Sequence, residues 1–307
     1  MPPLVALVPA GPLVPAWVHA RGVLTLDRAC VMAIVNLTPD SFSDGGQLLA
    51  GTDVDAGAAA QRCRALVEQG ADILDLGGES TRPGAEAVAP ALELRRVLPV
   101  LRRLSTDPAL SSVAISVDTR RAEVAAAVMA AGAAIINDVS GLADPAMAEV
   151  IARTGAGLVL GHVRGEPATM QRDIQFTDVL AEVAAELRDV VMRALRAGVA
   201  NDRIVVDPGI GFGKTAEQSA ALVAASEYLV QETGCPVLIG ASRKGFLGMI
   251  TGRPVGERTT ASVAAAVVAV ERGASIVRVH DVAATVDALR VATAVRQAFV
   301  AARRGPL

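Results

Sequence analysis

Several polar stretches of this chain each follow a short apolar run, and they hold the residues best suited to chemistry. Asn36 opens NLTPDSFSDGG, Asp75 leads into GGESTRPGA, Asp118 sits in SVDT, and Asn137 in IND. Further along, His162 precedes VRGEPATMQ, Asp207 precedes PGIGFGK, Ser242 and Lys244 lie in ASRKGF, and Arg278 and His280 in VRVHD. Asp118, Asn137, Asp207 and Lys244 form one candidate patch. Buried carboxylates are expensive without partners, so this patch asks for mutual salt bridges or a ligand rich in N–H groups. A guanidine-like heterocycle edge gives an Asp two parallel hydrogen bonds, and Lys244 suits its carbonyl. Loop capping by Asp118 and Asp207, or their pairing with Lys244, is the competing reading. Arg278 and His280, two apart, project from one side of a strand. If that strand closes a barrel beside the one ending in Asn36, the trio suits a diphosphate and its Mg²⁺, with Asn36 as a neutral oxygen ligand. His162 reads as structural. GIGFGK fits neither a dinucleotide fingerprint nor a P-loop; its glycines would let a loop pass close to a flat ligand, with Phe212 as one wall.

The elements that must position these groups are regular. Strand patterns fall at 31–35, 73–76, 113–117, 134–136, 158–160, 204–206, 237–239 and 275–279. Helical spacing fits 54–69, 91–104, 122–131, 145–154, 178–198, 217–232, 258–272 and 282–302, and a Gly-Ala or Gly-Cys pair follows several of these helices. Eight βα repeats in about 270 residues predict an α/β fold, a (β/α)₈ TIM barrel in a single domain. The division is 1–30, an extension with a two-strand flap around Arg21-Gly22 acting as a plug or lip; 31–302, the barrel; and 303–307, a tail. Chemistry should then gather at the C-terminal ends of the strands, where the polar stretches fall.

Composition narrows the partners. The 307 residues are 52% hydrophobic but only 2% aromatic, a core of Ala, Val, Leu and Ile suited to helices on buried parallel strands. A net charge of −3 provides no general field for nucleic acid or anionic membrane, so an anionic substrate must meet a few placed cations. No apolar run is long enough to span a bilayer, and Pro9, Pro12 and Pro15 break the most apolar segment near the start. Cys30, Cys63 and Cys235, odd in number and without a CxxC pair, point to a reducing cytoplasm.

Taken in order and at these intervals, NLTPDSFSDGG, DLGGESTRPGA, SVDT, IND, DPGIGFGK, ASRKGF and VRVHD resemble the dihydropteroate synthases of folate biosynthesis, over roughly 17–298. The resemblance implies a transferase that moves 6-hydroxymethyl-7,8-dihydropterin from its diphosphate to 4-aminobenzoate. It implies a pterin site of Asp118, Asn137, Asp207, Phe212 and Lys244, and a diphosphate site of Asn36, Thr81, Arg278 and His280 with Mg²⁺ on Asn36. It also implies an aminobenzoate site of Phe42, Thr81, Arg82, Pro83 and Ser242, a catalytic set of Asp118, Lys244, Arg278 and His280, membership of the enzyme class that sulfonamides target, with this chain's own sensitivity turning on the loops around Phe42 and Pro83, and a homodimer. Departures occur at Gly161 and Val163, where Met commonly flanks the histidine, and at Ala33, where Gly is usual; altered packing or affinity is expected there. A pterin-binding methyltransferase barrel shares the Asp and Asn pocket but has no use for STRPGA, SRKGF or the Arg278–His280 pair. A catalytically silent paralogue would not need Asn36, Arg82, Lys244, Arg278 and His280 together.

Overall fold

The computed structural model describes residues 16–38, 49–50, 53–80, 88–165, 169–172 and 174–304. Its strands are β1 (Ala16–His19), β2 (Gly22–Thr25), β3 (Cys30–Asn36), β4 (Leu49–Ala50), β5 (Asp53–Val54), β6 (Ile73–Gly77), β7 (Ala114–Asp118), β8 (Ile135–Asp138), β9 (Gly157–Gly161), β10 (Ile204–Asp207), β11 (Leu238–Ile239) and β12 (Ile276–Val279). The helices are α1 (Ala56–Glu68), α2 (Pro90–Ser105), α3 (Ala122–Ala130), α4 (Met147–Thr154), α5 (Val179–Arg196), α6 (Ala216–Val223), α7 (Ser226–Thr233), α8 (Gly245–Thr251), α9 (Thr259–Glu271) and α10 (Val282–Arg304). Eight strands form one parallel sheet in the order β10-β9-β8-β7-β6-β3-β12-β11. An isolated bridge between Val206 and Val237 joins its two edges, so the sheet curls into a nearly closed TIM-type barrel.

Alternation along the strands sorts the side chains. Val31, Ala33 and Val35 face outward into a shell shared with the helices, whereas Cys30 and Met32 face the barrel interior. The helices meet the shell through stripes such as Val183, Leu187, Val191 and Ala194 of α5, whose start is capped by the Asp178 carboxylate accepting from Leu180 and Ala181 N–H. The glycines that end the helices read in the sequence, Gly70, Gly132, Gly155, Gly234 and Gly273, all take positive φ, the conformation that turns a helix back toward the next strand.

The bottom of the barrel is filled by the β1–β2 hairpin. Trp17 is completely buried with Leu26 against Met32, Ile73, Ile135 and Ile276, and its indole N–H donates to the Arg203 carbonyl at 2.9 Å. Polar residues of the upper strands therefore open only toward the C-terminal mouth.

Three local features differ from the sequence reading. The helix expected over 217–232 is two, α6 and α7, broken at Ala224 and Ala225; in the first turn of α7 the N–H of Glu227 donates to the carbonyl of Arg272 at 2.9 Å. The short helix α8 follows Lys244 directly, in a stretch too brief for periodicity to reveal. The pair β4–β5 is antiparallel, two residues on each side.

Candidate active site

The inward positions near the strand ends hold a charged cluster. Arg278 of β12 donates from Nε to Asp75 Oδ2 at 2.7 Å and from Nη2 to Asp118 Oδ2 at 3.0 Å. Asn137 Nδ2 donates to the same Asp75 oxygen at 3.1 Å. Asp75 is wholly buried, and Asp118 and Asn137 nearly so. One guanidinium thus serves two carboxylates. Burial pushes the Asp118 carboxyl up to about 8, with Arg278 pulling it down and Asp75 adding to the rise. Asp75 Oδ1 and Asn137 Oδ1 are buried without a hydrogen-bond partner. The pocket is short of donors, the condition a heterocycle with several N–H groups relieves.

Opposite this cluster, Asp207 ends β10. Its Oδ1 accepts from Gly209 N–H at 2.7 Å, so the carboxylate does cap its loop, while Oδ2 stands beside Arg278 over the bare backbone of Gly240. Burial raises the Asp207 pKa, against that hydrogen bond and the charge of Lys244. Lys244 Nζ lies 3.9 Å from the centre of the Phe212 ring, a cation–π contact at the pocket wall. Behind the wall, Lys214 Nζ donates to the Phe212 carbonyl at 2.9 Å and to His162 Nδ1 at 2.9 Å. That leaves the imidazole proton on Nε2, directed at Glu186 Oε2 at 2.9 Å. Burial pushes the Lys214 amine down to about 7, whereas the bond from His162, with Arg164 assisting, holds Glu186 at about 2. Both ring nitrogens of His162 are thus engaged by neighbouring side chains. At Gly209, where φ is +68°, a Cβ would overlap the His162 carbonyl oxygen; only glycine lets this loop pass.

At the rim, Asn36 pairs in register with Gly77, and a Cβ on that glycine would lie 3.7 Å from Asn36 Oδ1. The next inward residue around the barrel is Asp118. Ser242 and His280 are joined, hydroxyl oxygen to ring Nδ1, at 3.0 Å. His280 meets Ser242 and Arg278 meets Asp75 and Asp118, on the strand β12 that pairs directly with β3, which ends in Asn36. Phe42, Thr81, Arg82 and Pro83 lie outside the described residues.

The match to the pterin-binding enzyme model runs over residues 32–280, which includes every residue of the cluster above. A curated dihydropteroate synthase from Neisseria meningitidis serogroup B is 46% identical over 280 residues, covering 90% of this chain and 95% of its own length. The chain belongs to the dihydropteroate synthase family of pterin-binding enzymes.

Solved members of the synthase family superpose closely. The Xanthomonas albilineans dihydropteroate synthase with 4-aminobenzoic acid has a TM-score of 0.82 at 46% identity, covering 92% of this chain and 98% of its own. The Burkholderia cenocepacia dihydropteroate synthase complexed with 7,8-dihydropteroate has a TM-score of 0.81 at 42% identity, covering 95% and 99%. At Gly161 a Cβ would come within 2.6 Å of Val139 Cα, so only glycine fits beside the β8 exit here. Ala33 faces the helical shell, away from the synthase site. Two inward or loop residues carry more of the site than the sequence suggested. Asp75 was legible only as the polar end of its strand, although its spacing of two from Gly77 places it inside the barrel. Lys214 was legible only as the end of GIGFGK, and its partner Glu186 lies on a distant helix.

Proposed function

We propose that this chain joins 6-hydroxymethyl-7,8-dihydropterin, supplied as its diphosphate, to the amine of 4-aminobenzoate, giving 7,8-dihydropteroate and diphosphate. The observation that carries this reading is the donor-poor buried pocket in which Arg278 is shared by Asp75 and Asp118 and Asn137 Oδ1 lacks a partner. A pterin edge supplies N–H groups to Asp118, Asn137 and Asp207, and Lys244 donates to its ring acceptors beside Phe212.

4-Aminobenzoate is a weak nucleophile because its nitrogen lone pair is delocalised into the ring, so departure of diphosphate runs ahead of attack. Hydrogen bonds from a bound pterin edge and from Arg278 favour the ionised form of Asp118 against its burial, and that carboxylate then stabilises the cation left on the pterin methylene, with Arg278 also held by Asp75. His280, oriented by Ser242, contributes a polar ring at the rim where diphosphate leaves. Asn36 fits Mg²⁺: it offers a hard neutral oxygen, partly exposed, over a glycine that leaves room beside it. Among the described residues no group of three or more His, Cys, Asp or Glu could hold a metal, so the remaining ligands would be diphosphate and water oxygens. The ion, when bound, supplies positive charge to the leaving group. Phe42, Thr81, Arg82 and Pro83 complete the aminobenzoate side with Ser242 in this reading, and Thr81 also serves the diphosphate.

The test is formation of dihydropteroate by the purified chain from both substrates and Mg²⁺. Pterin binding without product would overturn the reading in favour of a silent paralogue.

Two further readings belong here. Met249 and Ile250 of α8, Val268 of α9, and Val291, Val295 and Phe299 of α10 are exposed, with Met249 at 74%. This apolar surface on consecutive helices suits a second copy of the chain. Sedimentation should give a dimer, and Val295→Asp a monomer; a monomeric parent would refute this. No helix among the described residues is long and apolar enough to cross a membrane. The free cysteines Cys30, Cys63 and Cys235 are buried, and their odd number without a CxxC pair supports a cytoplasmic setting; extracellular recovery of the protein from intact cells would refute it.

A further inference from the structure

Glu79 ends the β6 exit, and Val88 begins the approach to α2. Between them runs the segment 80–88, to which the functional reading assigns Thr81, Arg82 and Pro83. Arg121, three residues beyond Asp118, sits at the base of this segment. Its Nη1 donates to Glu79 Oε2 and to Glu93 Oε2, both at 2.6 Å. Its Nη2 donates to Glu79 Oε1 at 3.1 Å and to the Val88 carbonyl at 2.7 Å. Val88 N–H in turn donates to Glu79 Oε1 at 3.1 Å. Both ends of the segment are therefore tied to one guanidinium and one carboxylate.

The anchor is built into the shell. Glu93 of α2 is fully buried, and the Glu79 and Arg121 side chains are 6% and 17% exposed. Arg96 donates to the Gly78 carbonyl at 2.8 Å, and a Cβ on Gly78 would lie 2.8 Å from Val97, so the β6 exit lies flat on α2. Arg120, 3.4 Å from Glu79, makes the cluster two cations and two carboxylates. A planar fork serving two carboxylates and a carbonyl is a task an ammonium cannot reproduce. The reaction as derived above uses none of these groups.

We propose that Arg121 is a positioning residue for the 4-aminobenzoate side of the site, acting through Glu79 and the Val88 carbonyl to fix both ends of segment 80–88. The inference rests on the synthase reading. Because Arg121 leaves from the same strand end as Asp118, it sets the aminobenzoate side against the pterin side without touching either substrate.

Steady-state kinetics with each substrate varied in turn provide the test, on the parent chain and on Arg121→Lys, Arg121→Met and Glu79→Gln. The expected result is a rise of about tenfold or more in the KM for 4-aminobenzoate in Arg121→Met and Glu79→Gln, with Arg121→Lys between parent and Arg121→Met. The KM for pterin diphosphate should stay within about twofold of the parent's, a split that a general loss of structure would not produce. If Arg121→Met does not fold, Arg121→Lys and Glu79→Gln decide by the same split. An unchanged KM for 4-aminobenzoate, or equal rises in both KM values, in an active parent background overturns this inference alone. A parent chain that forms no dihydropteroate overturns the functional reading and this inference with it.

Discussion

Replacing Lys214 by Met should remove a large pH dependence of stability. The Lys214 amine is nearly inaccessible and is pushed by burial from 10.5 down to about 7, with Asp207 and Glu186 opposing the fall and Lys244 and Arg164 reinforcing it. At roughly 1.4 kcal/mol per pH unit, that gap corresponds to about 5 kcal/mol between the charged and neutral forms. The sign is fixed by which state binds the proton. Above 10.5, folded and unfolded chains both carry a neutral amine and nothing is lost. As the pH falls from 10.5 to about 7, only the unfolded chain takes up the proton, so folding weakens; below about 7 the full penalty is present and no longer grows. Between about pH 9 and about pH 7 the parent should therefore lose roughly 2 kcal/mol through this residue, and Lys214→Met should not. Asp118, raised to about 8, works the other way, favouring the folded chain below that value. It is common to both proteins and drops out of their difference. The assay is urea unfolding of both proteins at the two pH values. An identical pH difference in parent and variant would refute a buried, depressed Lys214. The variant also loses the tie to the Phe212 carbonyl, so its KM for pterin diphosphate should rise several-fold.

Other substitutions probe the site directly. Asp118→Asn leaves Arg278 its bond to Asp75, so binding of pterin diphosphate should change by less than about threefold while single-turnover release of diphosphate slows by about tenfold or more; equal losses would contradict the cation-stabilising role. Asn36→Ala should raise the Mg²⁺ concentration needed for half-maximal activity, and an unaltered requirement would remove Asn36 as the ligand. Gly209→Ala forces a side chain into the His162 carbonyl at positive φ and should cost at least about 3 kcal/mol, seen as a lower Tm. A Tm matching the parent would show that the loop does not pack as described.

The barrel was legible because its signals are local. Each strand is a short apolar run followed by a polar stretch, and a glycine turns each of several helices toward the next strand; these require no knowledge of distant partners. Asp118, Asn137, Asp207 and Lys244 could be grouped from strand ends alone. Their pairing could not. Arg278 lies 203 positions from Asp75 and 160 from Asp118, and only closure of the barrel brings them together. The same holds for Lys214 with Glu186, joined through His162, and for Arg121 with Glu79 and Glu93: ion pairs across helices leave no periodicity in the chain. The break between α6 and α7, at two alanines, carries no local signal.

The plug at the bottom of the barrel carries a practical consequence. Trp17 is the only tryptophan in the sequence, and it is buried with its indole N–H bonded to Arg203. Its fluorescence is therefore a single-site optical reporter at the end of the barrel away from the catalytic mouth. Unfolding exposes the ring to water and shifts its emission to the red. Variants at Lys214, Asp118 or Arg121 can be titrated with this signal without altering the chromophore's own surroundings, and its shift marks the point at which the hairpin leaves the barrel.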